Sequence, residues 1–270
     1  MRQRIIALIL LLVFTAGGIF YFISKNNSST YVAPTTPVPV YMQVNIVNSF
    51  PHDTSAFTEG LFIQDSILYE STGQKGRSSL RKVELSTGKI LKKIDLDAAY
   101  FGEGISMLNG KIYQMTYQEH TVFVYDAKNF SLLKKFDLAT EGWGMTTDGK
   151  NLIVSDGTNF LYYYDPETFK EIKKVSVQDN NGLLTNINEL EWIDGYIYSN
   201  VWQTNYILKI NPDTGLVVAK ADVTQQIQAV LPTGFDLEMD VLNGIAYDKD
   251  TKKIYITGKN WPKLLEVTFN

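Results

Sequence analysis

Apolar and polar residues alternate in short runs along most of this chain, and glycine, asparagine and aspartate cut the runs every few residues. Such a pattern predicts many short half-buried strands joined by tight turns. It is clearest at residues 101–113. There Phe101-Gly102-Glu103-Gly104 leads into an apolar stretch, an Asn109-Gly110 turn and a second stretch. Asn-Gly between alternating runs signals a hairpin, because both residues tolerate positive φ. Related starts recur at Thr58-Glu59-Gly60-Leu61, Thr140-Glu141-Gly142-Trp143, Asn188-Glu189-Leu190-Glu191-Trp192 and Leu242-Asn243-Gly244-Ile245. The second stretches echo one another as Leu68-Tyr69, Ile112-Tyr113, Leu152-Ile153, Ile197-Tyr198 and Ile254-Tyr255, spaced 44, 40, 45 and 57 residues apart. Five copies at that period predict a small propeller.

The first unit places strands at 61–63, 67–70, 80–85 and 89–96, and the second at 105–108, 111–116, 121–126 and 132–138. The third has 144–147, 152–155, 160–165 and 171–177, and the fourth 189–193, 196–200, 206–210 and 217–222. In the third, Phe160-Leu161-Tyr162-Tyr163-Tyr164 carries rings expected to fill the space between neighbouring sheets. A short helical or irregular insertion at 223–230 and a loop at 231–240 precede the fifth unit, with strands at 244–248, 253–257 and 263–269. That unit lacks a fourth strand, while 43–48 reads as a strand without a sheet. Pairing the two would close the ring and remove two exposed edges. The expected fold is therefore an all-β, five-bladed β-propeller closed by its N- and C-terminal strands. A two-sheet sandwich is the alternative, since its inner faces also accommodate alternating aromatics.

Ahead of the repeats, Arg2 and Arg4 precede an uncharged run from residue 5 to 23. As a helix it would span about 28 Å, close to membrane thickness. The basic flank should stay cytoplasmic and send the remainder outward. The run is long for a signal-peptide core and lacks a small-residue cleavage box, which favours an uncleaved signal-anchor. Residues 24–40 are rich in Ser, Thr, Asn and Pro and read as an extended linker. The expected organisation is a membrane-directed segment at 1–23, a linker at 24–40 and a five-bladed propeller domain at 41–270. The propeller would be periplasmic or otherwise extracytoplasmic, tethered through the N-terminal segment, and monomeric.

Composition narrows the chemistry. The 270 residues include no cysteine, so disulfides, thiolate metal sites and thiol-linked lipids are excluded. Beyond residue 40 there are 22 basic against 29 acidic side chains, a net of about −7, and no nucleic-acid partner is expected. Neither a His-Glu-x-x-His spacing, a phosphate loop nor a G-x-S-x-G elbow occurs, and no cofactor or metal is expected.

If each unit begins with its innermost strand, Glu59, Glu103, Glu141 and Glu189 converge on one mouth of the central channel. Carboxylates crowded there would have to face solvent, pair with cations or retain a proton. Trp143, Trp202 and Trp261 adjoin strand ends, where packing between blades and contact with a ligand are both open readings. Trp202 leaves its strand for a polar loop, Asn200-Val201-Trp202-Gln203-Thr204, the kind of place where binding residues sit. Lys259 is either a surface lysine or a counter-charge to the acidic mouth.

The succession Pro51-His52-Asp53, Phe57-Thr58-Glu59-Gly60, Tyr69-Glu70-Ser71-Thr72-Gly73, Phe101-Gly102-Glu103-Gly104, Gly142-Trp143-Gly144, Asn188-Glu189-Leu190-Glu191, Asn200-Val201-Trp202 and Lys259-Asn260-Trp261-Pro262 resembles the plant and bacterial glutaminyl-peptide cyclotransferases. The likeness runs in order through nearly all residues after about 43. It implies a five-bladed fold and conversion of the N-terminal glutamine of peptides or proteins to pyroglutamate, with release of ammonia. By the same resemblance Glu103 is the catalytic proton shuttle. Glu59, where relatives often carry glutamine, would orient the substrate amine, and Tyr117 falls where plant relatives commonly have tryptophan. Trp143 and Trp202 would line the pocket, Asn188 would hold the amide carbonyl, and Lys259 would bind peptide carbonyls or favour developing oxygen charge. The competing expectation is a propeller that binds peptide N-termini without turnover.

Overall fold

The structure, a computed structural model, describes residues 36–232 and 239–270. The expected membrane segment at 1–23, most of the linker and residues 233–238 of the expected loop lie outside the described residues. Among those described, no helix is long and apolar enough to cross a membrane.

Five antiparallel sheets form the blades of a propeller. Their innermost strands are Thr58–Gln64, Gly102–Leu108, Met145–Thr147, Ile187–Ile193 and Leu242–Asp248, each touching the next around a closed ring. The strands at 111–116, 121–126, 152–155, 206–210, 217–222 and 263–269 have the bounds expected from the alternation. Closure is as expected too. Val44–Pro51 pairs antiparallel with Lys263–Phe269, from Val44 opposite Phe269 to Pro51 opposite Lys263, and supplies the fourth strand of the fifth blade. Val40–Tyr41 adds a short parallel strand to the outer edge of the fourth blade, beside Val217–Asp222. The insertion before the fifth blade is a helix at Thr224–Val230, which buries Ile227.

The core is divided among the gaps between blades. Phe62, Tyr69 and Leu80 of the first blade meet Ile105, Ile112 and Phe123 of the second. In the third blade Tyr162 and Tyr164 face the second blade, while Leu161 and Tyr163 face the fourth, as strand alternation requires. Those rings therefore fill both flanking gaps. Leu61, Leu68 and Val83 close the last gap against Ala246, Tyr255 and Leu264.

The outer strands have a different task. Lys92, Lys134, Lys173 and Lys174 lie over the rings of Phe130, Phe136, Tyr163 and Phe160, at 4.3 to 5.2 Å from the centroids. Their stems cover the aromatics while their charges discourage pairing at the exposed edges.

Candidate active site

Four of the five inner strands begin two or three residues earlier than the alternation suggests, because each starts with a β-bulge. Register breaks fall between Thr58 and Gly60, Gly102 and Ile105, Ile187 and Leu190, and Leu242 and Ile245. A bulge adds a residue on one strand and re-aims its side chain out of the simple alternation. The bulges aim Glu59, Glu103 and Asn188 at one mouth, and Trp143, just before the unbulged third inner strand, joins them; Asn243 of the fifth blade is fully buried beside Glu59. The following glycine lets the strands approach. A Cβ at Gly104 would lie 2.5 Å from the carbonyl oxygen of Trp143, and one at Gly144 only 2.1 Å from that of Asn188.

The mouth leads into a cavity of about 310 Å³, at the lower end of small-ligand pockets. Glu59, Glu103, Tyr117, Trp143, Asn188, Trp202 and Lys259, all singled out in the sequence, line it together. So do Phe57, Phe101, Val241, Gln203 and Met239, which sequence reasoning missed. A usable signal existed for three of them. Phe57, Phe101 and Val241 each lie two positions before a bulge residue, the spacing that returns a strand to the same face.

Glu59 is the buried hub. It is 1 % exposed. Lys259 Nζ donates to its Oε1 at 2.7 Å, and Asn243 Nδ2 donates to its Oε2 at 3.0 Å. Asn243 also donates to the Thr58 carbonyl at 2.9 Å. The Lys259 ammonium sits 4.5 Å above the ring of Phe57, so both its charge and its stem are engaged. The carboxyl of Glu103, 7 % exposed, lies within hydrogen-bonding reach of Glu59.

Two carboxyls this close in a dry site cannot both ionise freely. Burial first, then the charge of Glu59, pushes Glu103 well above the ordinary carboxylate range, and Lys259 only partly offsets them. Burial also raises Glu59, but there Lys259 opposes it through both charge and hydrogen bond. Of the two, Glu103 is pushed further toward its acid form, and Glu59 is the one that Lys259 favours as the anion.

Aromatic rings wall the rest. Trp143 and Trp202 meet edge to face, with centroids 5.6 Å apart and planes at 82°. Phe101 makes similar contacts with Phe57 at 6.2 Å and Tyr117 at 6.0 Å. Burial, then the charges of Glu141 and Glu103, raises the Tyr117 phenol.

Two glutamates expected at the mouth do other work. Glu141 stands behind the wall, where it accepts from Trp143 Nε1 at 3.2 Å and Gln118 Nε2 at 2.9 Å. Glu189 is fully buried, accepting the backbone N–H of Ile245 at 2.9 Å and of Leu61 at 3.3 Å. It ties the fourth blade to the fifth and first. Repeats aligned on the acid put both glutamates out of register. Aligned on Gly60, Gly104, Gly144 and Gly244, with Glu189 at the glycine position of the fourth unit, the repeats assign the mouth to Trp143 and Asn188 in place of the two glutamates. Trp261 is a packing residue: it is fully buried, and its indole N–H donates to the Asp240 carbonyl at 2.7 Å.

A propeller whose axial mouth combines one carboxyl pushed toward its acid form, one lysine-paired carboxyl and an aromatic box is equipped for acid–base chemistry on a small polar group. The model of the glutamine cyclotransferase family matches residues 19–269, and the chain belongs to that family. It is 38 % identical over 270 residues to glutaminyl-peptide cyclotransferase of Arabidopsis thaliana, covering 98 % of this chain and 84 % of that one. The crystal structure of Myxococcus xanthus glutaminyl cyclase superposes with a TM-score of 0.78 at 31 % identity, covering 86 % of this chain and 98 % of the other.

Proposed function

We infer that this protein cyclises the N-terminal glutamine of peptides or proteins to pyroglutamate and releases ammonia. The observation that carries the reading is the buried Glu103 carboxyl lining the cavity beside the Glu59–Lys259 ion pair. In the reaction the substrate's α-amine attacks its own side-chain amide carbon. A five-membered lactam forms, and the amide nitrogen leaves. An α-amine has an ordinary pKa of about 7.7 to 8.0, so a useful minority is already neutral near neutrality. The harder demand is protonating the departing nitrogen.

Glu103 meets that demand. Its carboxyl gives a proton to the leaving nitrogen as the C–N bond breaks, and the resulting carboxylate takes the proton lost by the attacking nitrogen. The acid is restored at the end of each turnover. General acid–base work of this kind contributes about 10² to 10⁴-fold. Glu59, kept ionised by Lys259, accepts a hydrogen bond from the amine and orients it. Lys259 thus acts chiefly through Glu59. Asn188, which lines the cavity, stabilises the oxygen of the tetrahedral intermediate in this reading. Trp143, Trp202 and Tyr117 exclude water around the substrate's methylene groups.

Incubating the purified protein with a glutamine-initiated peptide should release one equivalent of ammonia and leave a product lighter by one ammonia. Tight binding without release would instead identify a receptor for peptide N-termini. The placement of the domain outside the cytoplasmic membrane, tethered by residues 1–23, belongs to the same proposal and rests on Arg2, Arg4 and the uncharged run that follows. Fractionation of cells with antibody to the propeller tests it.

A further inference from the structure

A second charged cluster lies beneath the pocket, and none of the chemical steps above uses it. His52 is buried with both ring nitrogens facing acceptors: Nδ1 is 2.7 Å from the Trp261 carbonyl oxygen and Nε2 is 2.9 Å from Glu70 Oε1. A neutral imidazole has a single N–H, so donating to both partners requires the imidazolium. Glu70 Oε1 also accepts from Thr58 Oγ1 at 2.8 Å. Behind the pair, Arg81 Nη1 is 3.7 Å from Glu70 Oε2 and 2.9 Å from Asp53 Oδ2. The charged groups facing His52 are thus Glu70 and Asp53, with Arg81 completing the set.

The two ends of this cluster fall beside the two halves of the active-site ion pair. Thr58 immediately precedes Glu59, and Trp261 follows Lys259 by two residues. The backbone N–H of His52 donates to the Pro262 carbonyl at 3.0 Å, and that of Asn260 to the Ala56 carbonyl at 2.7 Å, stitching the same two segments. Burying charges in this way is seldom more stabilising than apolar packing, so the cluster calls for another reason. We propose that His52 and Glu70 are positioning residues that hold the Glu59 strand and the Lys259 turn at contact distance, and thereby preserve the Glu59–Lys259 ion pair. The inference rests on the roles given above to Glu59 and Lys259.

The test is a double-substitution cycle on the full chain, with ammonia release from a glutamine-initiated peptide measured across pH. His52→Gln should lower kcat/KM about tenfold, mostly in kcat. It should also move the acidic limb of the profile to higher pH, the direction in which Lys259→Met moves it, because Glu59 loses cationic support in both. In the Lys259→Met background, His52→Gln should cost little more. Losses that simply multiply, or an acidic limb that stays in place, overturn the proposal. Should Lys259→Met retain full activity, the roles of the ion pair fail and this inference falls with them. If His52→Gln does not fold, Glu70→Gln serves in its place. Nitrogen-15 NMR of the unaltered protein gives an independent reading: two N–H signals from the His52 ring are expected through neutrality, and a singly protonated ring rejects the proposal.

Discussion

Replacing Glu103 by Gln separates the chemical role of this side chain from its effect on stability. The amide has nearly the same shape and still donates a hydrogen bond to Glu59, but it has no proton to give. Loss of the shuttle should lower kcat by about 10² to 10⁴-fold, or roughly 2.7 to 5.5 kcal/mol of barrier. Stability should move the other way. A glutamate titrates at about 4.3 in the unfolded chain, whereas burial and the Glu59 charge hold Glu103 well above that in the folded protein. Its contribution is therefore complete below about 4.3 and is lost as pH rises through the elevated folded value. Glutamine does not titrate. Glu103→Gln should gain on the wild type as pH rises, with a slope approaching about 1.4 kcal/mol per pH unit. Ammonia release measures the first effect, and urea unfolding from about pH 5 to about pH 7 measures the second. A variant that keeps more than about a tenth of wild-type kcat, or a stability difference that does not change with pH, would refute the assignment of the proton to Glu103.

Lys259→Met keeps the stem over Phe57 but strands the Glu59 carboxylate. Breaking a buried pair in this way costs about 3 to 5 kcal/mol, and the cost should shrink in acid because Glu59 can then take a proton; denaturation midpoints at two pH values check both points. Trp202→Ala removes one half of the edge-to-face pair with Trp143, which is worth about 0.5 to 1.5 kcal/mol beyond burial, and should raise KM more than it lowers kcat in steady-state assays. Glu191 is buried, and burial pushes it up to about 8 against hydrogen bonds from the Tyr247 N–H and the Thr146 hydroxyl. Its stabilising contribution is complete below about 4.3 and is lost as pH rises through about 8. The melting temperature should therefore decline over that window, and Glu191→Gln should flatten the decline.

The chain order of strands, the hairpin turns and the pairing of residues 43–48 with the last strand were legible in the sequence, because alternation and turn chemistry are local and an unpaired edge is costly. The five-unit period determined the architecture, and the ordered motifs determined which side chains to watch. Tertiary structure decided which of those side chains meet. Glu59 and Lys259 are 200 residues apart, and only closure of the ring brings them to 2.7 Å. A bulge of one residue decided the rest. It turned Asn188 toward the cavity and sent its neighbour Glu189 into the channel to accept backbone N–H groups, so that two adjacent positions do unrelated work. The bias of the proton toward Glu103 came last. It depends on the difference in environment between two buried carboxyls, one braced by an ammonium and an amide, the other facing its neighbour's charge, and no pattern along a single strand records that difference.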